Sequence, residues 1–307
     1  MTKLQTHTMT KSAKALLSGI IDYAGFFPPA KLDYNTALNN YCNYRESSFS
    51  WILSRFISPT KKFEELRSYI NNNSIDTIKI VSILRPADSY VKYISQLSSE
   101  YELISSLPNK VDVDFIETTL PNNIEPLDYS GLVTAIKETF DNYNYNKLFI
   151  ESRIINYEDI DVNNYVNGIG IKIRCGGPVL ESVPSLESLA HTISYVASNN
   201  IPIKFTAGLH HPIRHFDPIL SGMVHGFINV FVASLIAYDN INNHDMIINV
   251  LMDEDPSNFI FNDSSLSYRD ISISLERIEE IRSMFLYSFG TCSFDDPIDD
   301  LTSLGII

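Results

Sequence analysis

The chain is short of cysteine and of positive charge, and each shortage argues against a class of protein. Its 307 residues include three cysteines. An odd count without CxxC spacing argues against a disulfide framework and for a reducing cytoplasm, where we expect the protein to be located. Lysine and arginine number 23 against 37 aspartates and glutamates, for a formal net charge of −14. Since nucleic-acid binding depends on neutralising phosphates with basic side chains, this balance argues against a nucleic-acid partner.

Long hydrophobic runs and nucleotide-binding motifs are also missing. No apolar run approaches the roughly 20 residues that a membrane-spanning helix requires. The most apolar stretch, residues 227–238, is shorter and typical of a core helix. Residues 1–18 have no long apolar core and do not predict a signal peptide, and disorder there stays open. No GxGxxG follows the first predicted strand, and no GxxxxGKS/T occurs. These absences argue against a membrane partner and against the usual nucleotide cofactors.

The chain instead alternates strand-like and helix-like segments. Several of the strand-like runs are continuously apolar, which is typical of strands covered on both faces. Helix-like segments of about 10–15 residues between them imply βαβ units and a parallel sheet. The seven predicted strands are residues 19–24, 50–57, 77–84, 111–118, 147–153, 168–174 and 201–206.

This alternation predicts an α/β fold, a single (β/α)8 TIM-barrel-like domain over residues 1–307. The eighth strand is the least defined; we assign it to residues 227–230 and predict a helix over 271–287. Residues 240–307 are then an irregular C-terminal extension packed on the barrel. A doubly wound open sheet is the alternative architecture.

Two lysines lie near the carboxyl ends of neighbouring predicted strands, where barrel enzymes place their catalytic residues. Lys172 shares one strand face with Arg174, and Lys204 shares another with Thr206, because side chains alternate along a strand. If both faces point into the barrel, repulsion between the ammonium groups and an apolar wall lower the pKa of one lysine. That yields the neutral amine that a Schiff base requires. Lys172 is the better candidate, because Gly170 and its neighbour Gly168 leave room for a substrate.

Carboxylates and arginines end several of the same strands. Glu117 and Glu151 end the fourth and fifth strands and are candidate general bases. Asp22 ends the first strand, where it either reaches into the site beneath an aromatic lid or adjoins a hydrophobic plug. The alternative is purely structural, with both lysines paired to Glu117 or Glu151. Candidate clamps for a carboxylate or phosphate are Arg55, Arg153 and Arg174, predicted at the ends of strands two, five and six.

Four histidines fall between the seventh predicted strand and its successor. We expect one of His210 and His211 to enter the site as an acid, base or hydrogen-bonding group. His225 is a candidate acid, base or cap near the substrate. His210, His211 and His215 with Glu151 form the alternative, a site for Zn²⁺ or another divalent metal, although neither HExxH nor HxH is present. The favoured prediction contains no metal and no cofactor.

Five strings spread over most of the chain carry a resemblance to known proteins. They are GIIDYAGFFPPA, KIRCGG, TAGLHHP, HGFIN and SFGTCSF. On these strings the chain resembles a family of soluble bacterial and plant proteins, which implies relatedness and no particular chemistry. The lysine pair is also similar to that of deoxyribose-phosphate aldolases. There a Schiff-base lysine lies on the sixth barrel strand and a second lysine on the seventh, which implies those roles for Lys172 and Lys204. Here Arg174 stands in place of a small hydroxyl residue, and His210-His211 in place of a phosphate-binding glycine run.

Together these features predict an enzyme, lyase- or aldolase-like, that acts on a small anionic carbonyl compound. Lys172 and Lys204 are its predicted electrophilic or Schiff-base groups. One alternative is a divalent-metal hydrolase or isomerase built on the histidines. The other is a barrel that binds a small ligand without turnover. Homo-oligomerisation is left open.

Overall fold

Eight parallel strands form a closed barrel in the computed structural model, which describes residues 9–73, 75–121, 126–152, 169–239 and 243–307. In the described residues the strands are β1 (Ile21–Tyr23), β2 (Leu53–Pro59), β3 (Ile78–Ile83), β4 (Val111–Thr119), β5 (Lys147–Ser152), β6 (Ile169–Arg174), β7 (Ile203–Thr206), β8 (His215–Asp217), β9 (Gly222–Val224), β10 (Phe259–Phe261), β11 (Ser265–Tyr268), β12 (Ile271–Ser274) and β13 (Leu286–Thr291). Around the barrel the strands follow the order β1, β13, β7, β6, β5, β4, β3, β2.

Helices cover the outside of the barrel and bury its apolar outer face. In the described residues they are α1 (Lys11–Leu17), α2 (Tyr34–Arg45), α3 (Phe63–Asn72), α4 (Tyr90–Ser105), α5 (Pro126–Phe140), α6 (Leu186–Ser198), α7 (Phe227–Tyr238), α8 (His244–Met252), α9 (Leu275–Met284) and α10 (Asp295–Ser303). Ile171 and Ile173 on β6, and Ile203 and Phe205 on β7, are fully buried in the main apolar core. Their neighbours alternate with them, so the polar side chains of these strands point into the barrel.

The predicted (β/α)8 barrel is confirmed, and its first seven strands lie where the apolar runs place them. The assignment of the eighth strand is wrong. Residues 227–230 begin α7, whose Phe227 and Phe231 pack on Phe289 with ring centroids 5.0 and 6.0 Å apart. The eighth barrel strand is β13, so the helix predicted over 271–287 is correct only for α9. β13 escaped prediction because Ser288 and Gly290 interrupt its apolar pattern.

The chain between β7 and β13 adds two antiparallel sheets outside the barrel. β8 and β9 form a hairpin after β7, and β10, β11 and β12 form a three-stranded sheet before α9. The predicted extension, 240–307, therefore contains this small sheet but also supplies a strand of the barrel itself. Among the described residues, no helix combines the length and the apolar character needed to cross a membrane.

Candidate active site

A continuous series of ion pairs fills the barrel interior. Four carboxylates alternate with four cations, and each neighbouring pair makes a salt bridge. Its first two members, Asp114 and Arg55, lie in the amino-terminal halves of β4 and β2, whereas its last member, Arg174, ends β6. The series therefore rises through the barrel to the carboxyl-terminal rim. We call these eight residues the ion chain; in order of contact they are Asp114, Arg55, Asp22, Lys204, Glu117, Lys172, Glu151 and Arg174.

Lys204 lies at the centre of the ion chain and is 0% exposed. Its Nζ donates a hydrogen bond to Asp22 Oδ2 at 2.7 Å and another to Glu117. The ammonium also lies 5.3 and 5.6 Å from the ring centroids of Phe115 and Phe149, whose faces attract a cation. Two carboxylates and two aromatic rings thus compensate for the hydration free energy that the Lys204 ammonium group loses on burial.

Lys172 shares a carboxylate with Lys204. Its Nζ donates to Glu117 Oε2 at 2.6 Å and lies 3.0 Å from Glu151 Oε2. The register of β6 and β7 places Lys172 directly opposite Lys204, and Lys172 is 4% exposed. The prediction that both lysines face one interior is confirmed, because Glu117 bridges the two ammonium groups.

The ionisation of Lys172 differs from the prediction. Burial lowers the pKa of a lysine, but Glu117 and Glu151 outweigh burial here and hold the pKa of Lys172 above its usual value. The expected lowering is therefore wrong for Lys172, because Glu117 lies between the two ammonium groups. Burial does lower the pKa of Lys147, which begins β5 at the opposite end of the barrel.

Two carboxylates of the ion chain, Asp22 and Glu151, have pKa values below their usual range. Burial alone raises the pKa of a carboxyl group, yet Lys204 and Arg55 together hold the pKa of Asp22 below its usual value. Lys172 and Arg174 likewise overcome burial and lower the pKa of Glu151 to about 2. Each of these carboxylates can accept a proton only after a neighbouring cation is neutralised.

Arg55 is the second member of the ion chain and lies towards the amino-terminal end of the barrel strands. Its Nε lies 2.5 Å from Asp114 Oδ2, its Nη1 lies 3.2 Å from Asp22 Oδ1, and its guanidinium lies 3.5 Å from the ring centroid of Phe115. The predicted placement at the end of the second strand is wrong, because β2 continues to Pro59. Buried between two carboxylates and a ring, Arg55 is not presented to a substrate at the rim.

Arg174 is the outer end of the ion chain, and its side chain is 41% exposed. Its Nη1 donates to Glu151 Oε1 at 2.9 Å, and it lies opposite Thr206 in the β6–β7 register. A Cβ atom on Gly290 would lie 3.1 Å from both Thr206 Oγ1 and Ile57 Cδ1, so side chains of β7 and β2 approach β13 closely here. Arg153, which was predicted to join this rim, lies outside the described residues.

The space next to Lys172 is filled by the protein itself. A Cβ atom on Gly170 would lie 2.5 Å from the ring of Phe149, so this glycine makes room for Phe149 and not for a substrate. Gly168 lies outside the described residues. Phe149, Phe115 and Tyr287 pack with ring centroids 5.2 to 5.6 Å apart and form an aromatic floor on the amino-terminal side of Glu117. Any substrate must therefore approach from the carboxyl-terminal rim.

The adjacent histidines contact different elements. His211 Nδ1 lies 2.5 Å from Asp300 Oδ2 on α10, and its ring packs edge-on against His215. His210 Nδ1 lies 3.4 Å from Thr291 Oγ1 at the end of β13, and burial lowers the pKa of His210. Only His210 thus contacts a barrel strand end within the described structure.

The ligand set predicted for a metal is not assembled. Within the described ranges, no group of three or more histidine, cysteine, aspartate or glutamate side chains is arranged to hold a metal ion. Glu151, predicted to join the histidines, is paired with Lys172 and Arg174 instead. His225 is fully buried, and its Nε2–H donates to the carbonyl of Pro184 at 2.9 Å. Burial lowers the pKa of His225 to about 4, so it is neutral at physiological pH.

Three residues of the site were not anticipated from the sequence. Asp114 pairs with Arg55; the alternating Val-Asp-Val-Asp at the start of β4 is the signal that could have indicated an inward carboxylate. Ser288 donates to Asp22 Oδ2 at 2.6 Å, and Gly290 allows the side chains of Thr206 and Ile57 to approach β13 closely. Both lie in the SFGTCSF string, whose place on a barrel strand was not recognised.

No protein-family model matches the chain, and no curated protein sequence matches it. The sequence resemblances to other proteins therefore stay predictions. The function is inferred from the geometry of the ion chain.

Proposed function

We propose that the protein is an enzyme that forms a Schiff base between Lys172 and a small anionic carbonyl compound. One observation carries the proposal: two lysine ammonium groups meet on Glu117 inside the barrel, and Glu151 connects one of them to a half-exposed arginine at the rim. The carboxyl-terminal rim is where TIM-barrel enzymes hold their substrates.

Lys172 is the better nucleophile of the two lysines. Lys204 is completely enclosed by Asp22, Glu117 and two rings, so a substrate cannot reach it without breaking two ion pairs. Lys172 is slightly exposed, and Glu151 links it to Arg174, which lies two residues further along the same strand face. In this proposal Lys204 stays charged and keeps Glu117 in place.

The chemistry requires a proton transfer before the attack. Lys172 passes a proton to Glu151, and its neutral amine adds to the carbonyl carbon of the substrate to give a carbinolamine. The carbinolamine nitrogen keeps a proton, and the protonated carboxyl group of Glu151 donates its own to the hydroxyl, which leaves as water. The products are an iminium ion on Lys172 and one water molecule, and Glu151 regains its charge.

A second candidate function is a barrel that binds a small ligand without turnover. The observation that favours it is that every cation of the ion chain already has a carboxylate partner. A fully paired interior is also a stable arrangement, with no need of a substrate. The two candidates differ in one property, covalent capture of a carbonyl compound.

Reductive trapping separates these candidates. Purified protein is treated with borohydride in the presence of C2–C5 aldehydes and 2-oxo acids, and its intact mass is measured. The enzyme proposal predicts one adduct per chain that the Lys172→Met variant does not form. Met keeps the apolar stem of the lysine and removes only the amine. The matched control is Lys147→Met, which removes a lysine at the opposite end of the barrel and should leave trapping unchanged. Equal labelling of the wild type and Lys172→Met would support the ligand-binding barrel.

A further inference from the structure

Glu151 holds a lysine and an arginine on its two oxygens. Oε2 lies 3.0 Å from Lys172 Nζ, and Oε1 accepts from Arg174 Nη1 at 2.9 Å. A nucleophilic amine and an anion-binding guanidinium are therefore separated by the width of one carboxylate group. A substrate that meets both must carry its negative charge next to its carbonyl carbon.

Arg174 has donors to spare for such a charge. A guanidinium has five N–H groups, and the hydrogen bonds of Arg174 within the described residues use one of them, to Glu151. Its side chain is also far more exposed than that of Arg55, the other guanidinium of the ion chain. Carboxylates fit the planar fork of an arginine with two parallel hydrogen bonds.

The other side of the rim is apolar. Ile57 and Thr206 both approach Gly290 closely, since a Cβ atom there would lie 3.1 Å from each. Phe27 and Ile83 pack on the same interior apolar cluster as Ile57. This apolar surface suits a short hydrocarbon group.

We infer that the substrate of this site is a 2-oxo acid with a short apolar side chain. Its carboxylate binds Arg174, its carbonyl carbon faces Lys172, and its side chain lies against the apolar surface of Ile57 and Ile83. This inference rests on the proposed Schiff-base function and restricts it to one substrate class.

The adjacent charge also explains how Lys172 loses its proton. Arg174 and Lys172 keep Glu151 charged and therefore a weak base. A substrate carboxylate on Arg174 neutralises that arginine and adds a negative charge near Glu151, which increases the proton affinity of Glu151. Glu151 then accepts the proton of Lys172 when an anionic substrate is bound. A neutral aldehyde does not provide this change.

The inference is tested by trapping matched pairs of compounds at equal, limiting concentration. The pairs are pyruvate with propanal and 2-oxobutanoate with butanal, and the trapped fraction is measured by intact mass. We expect the ratio of 2-oxo acid to aldehyde adduct to fall roughly tenfold or more in Arg174→Gln, as loss of a charged hydrogen bond implies. Arg174→Lys, which keeps the charge, should retain part of the preference.

The outcomes separate the substrate class from the function itself. Trapping at Lys172 with the same ratio in wild type and Arg174→Gln overturns the 2-oxo acid inference and leaves the Schiff-base proposal intact. Glyceraldehyde 3-phosphate is trapped under the same conditions, and its capture in preference to pyruvate has the same meaning. Absence of any adduct overturns both.

Discussion

At the scale of single residues, the buried charges depend on one another. Lys204 has no exposed surface and contacts two carboxylates, and each of these contacts a second cation. Removing one member of a buried ion pair leaves the opposite charge without compensation, which typically costs about 3–5 kcal/mol. The sequence predicted both lysines and their strands, but not that Asp22 pairs with Lys204, because the two residues are 182 positions apart in the chain.

Replacement of Lys204 by methionine should therefore destabilise the fold strongly. We expect the free energy of unfolding in urea to fall by about 3–5 kcal/mol, because Asp22 and Glu117 each lose a buried partner. The control is Lys62→Met, which breaks a more exposed pair with Glu65 and should cost less than about 1 kcal/mol. Similar losses in the two variants would show that the ion chain does not stabilise the barrel.

The pKa of Glu151 predicts a loss of stability in acid. Its pKa lies near 2 in the folded protein against an ordinary value of 4.5, so the folded state binds fewer protons between these values. The stabilisation is complete above pH 4.5 and is lost as the pH falls towards 2, by about 3 kcal/mol. Glu151→Gln should be less stable at pH 7, and its unfolding free energy should depend less on pH in this window. An unchanged pH dependence in the variant would contradict the ion pairing of Glu151.

At the scale of elements, two glycines set the distance between the loops that follow β6 and β7. A Cβ atom on Gly208 would lie 2.8 Å from the Cα atom of Gly176, and Gly208 has φ +73°. Ala207 beside it has φ 58°, a conformation that costs energy in a residue with a side chain. The contact holds the carboxyl ends of the two lysine-bearing strands together. The sequence indicated turns at both glycines, but no pattern within either turn indicates that the two backbones meet.

Gly208→Ala should therefore lower the free energy of unfolding by more than the left-handed backbone conformation alone would cause. Gly305→Ala is the matched control, since Gly305 has φ +67° with open space around its Cα atom. The control should cost about 1 kcal/mol for the backbone conformation alone. Gly208→Ala should cost roughly 1–3 kcal/mol more, because the backbone of Gly176 must shift. Equal shifts of Tm in the two variants would show that the loop contact is not close in solution.

The eighth strand shows where element prediction from sequence fails. The inner face of β13 carries Ser288, which donates to Asp22, and Gly290, which side chains of β2 and β7 approach closely. Neither position therefore carries the apolar side chain by which a strand is recognised. Conversely, α7 is apolar all round because the barrel covers one face and neighbouring helices cover the other, so its first residues are typical of a buried strand.

At the scale of the whole molecule, the acidic surface encloses a balanced interior. The chain carries a net charge of −14, whereas the ion chain contains as many cations as carboxylates. Continuously apolar runs, separated by helical segments, were sufficient to predict a parallel barrel, because strands covered on both faces require such runs. Which carboxylate pairs with which cation inside the barrel was not predictable. The pairing depends on which inward-pointing charged side chains lie at the same height along the barrel axis.

The most direct test of the Schiff-base proposal is to locate the borohydride-trapped adduct in the chain. Wild-type protein is reduced in the presence of pyruvate, digested and mapped by mass spectrometry. We predict that the modification lies on Lys172, with Lys204 and Lys147 unmodified. A modification distributed over exposed lysines such as Lys61 and Lys92, or its absence from Lys172, would contradict the proposal.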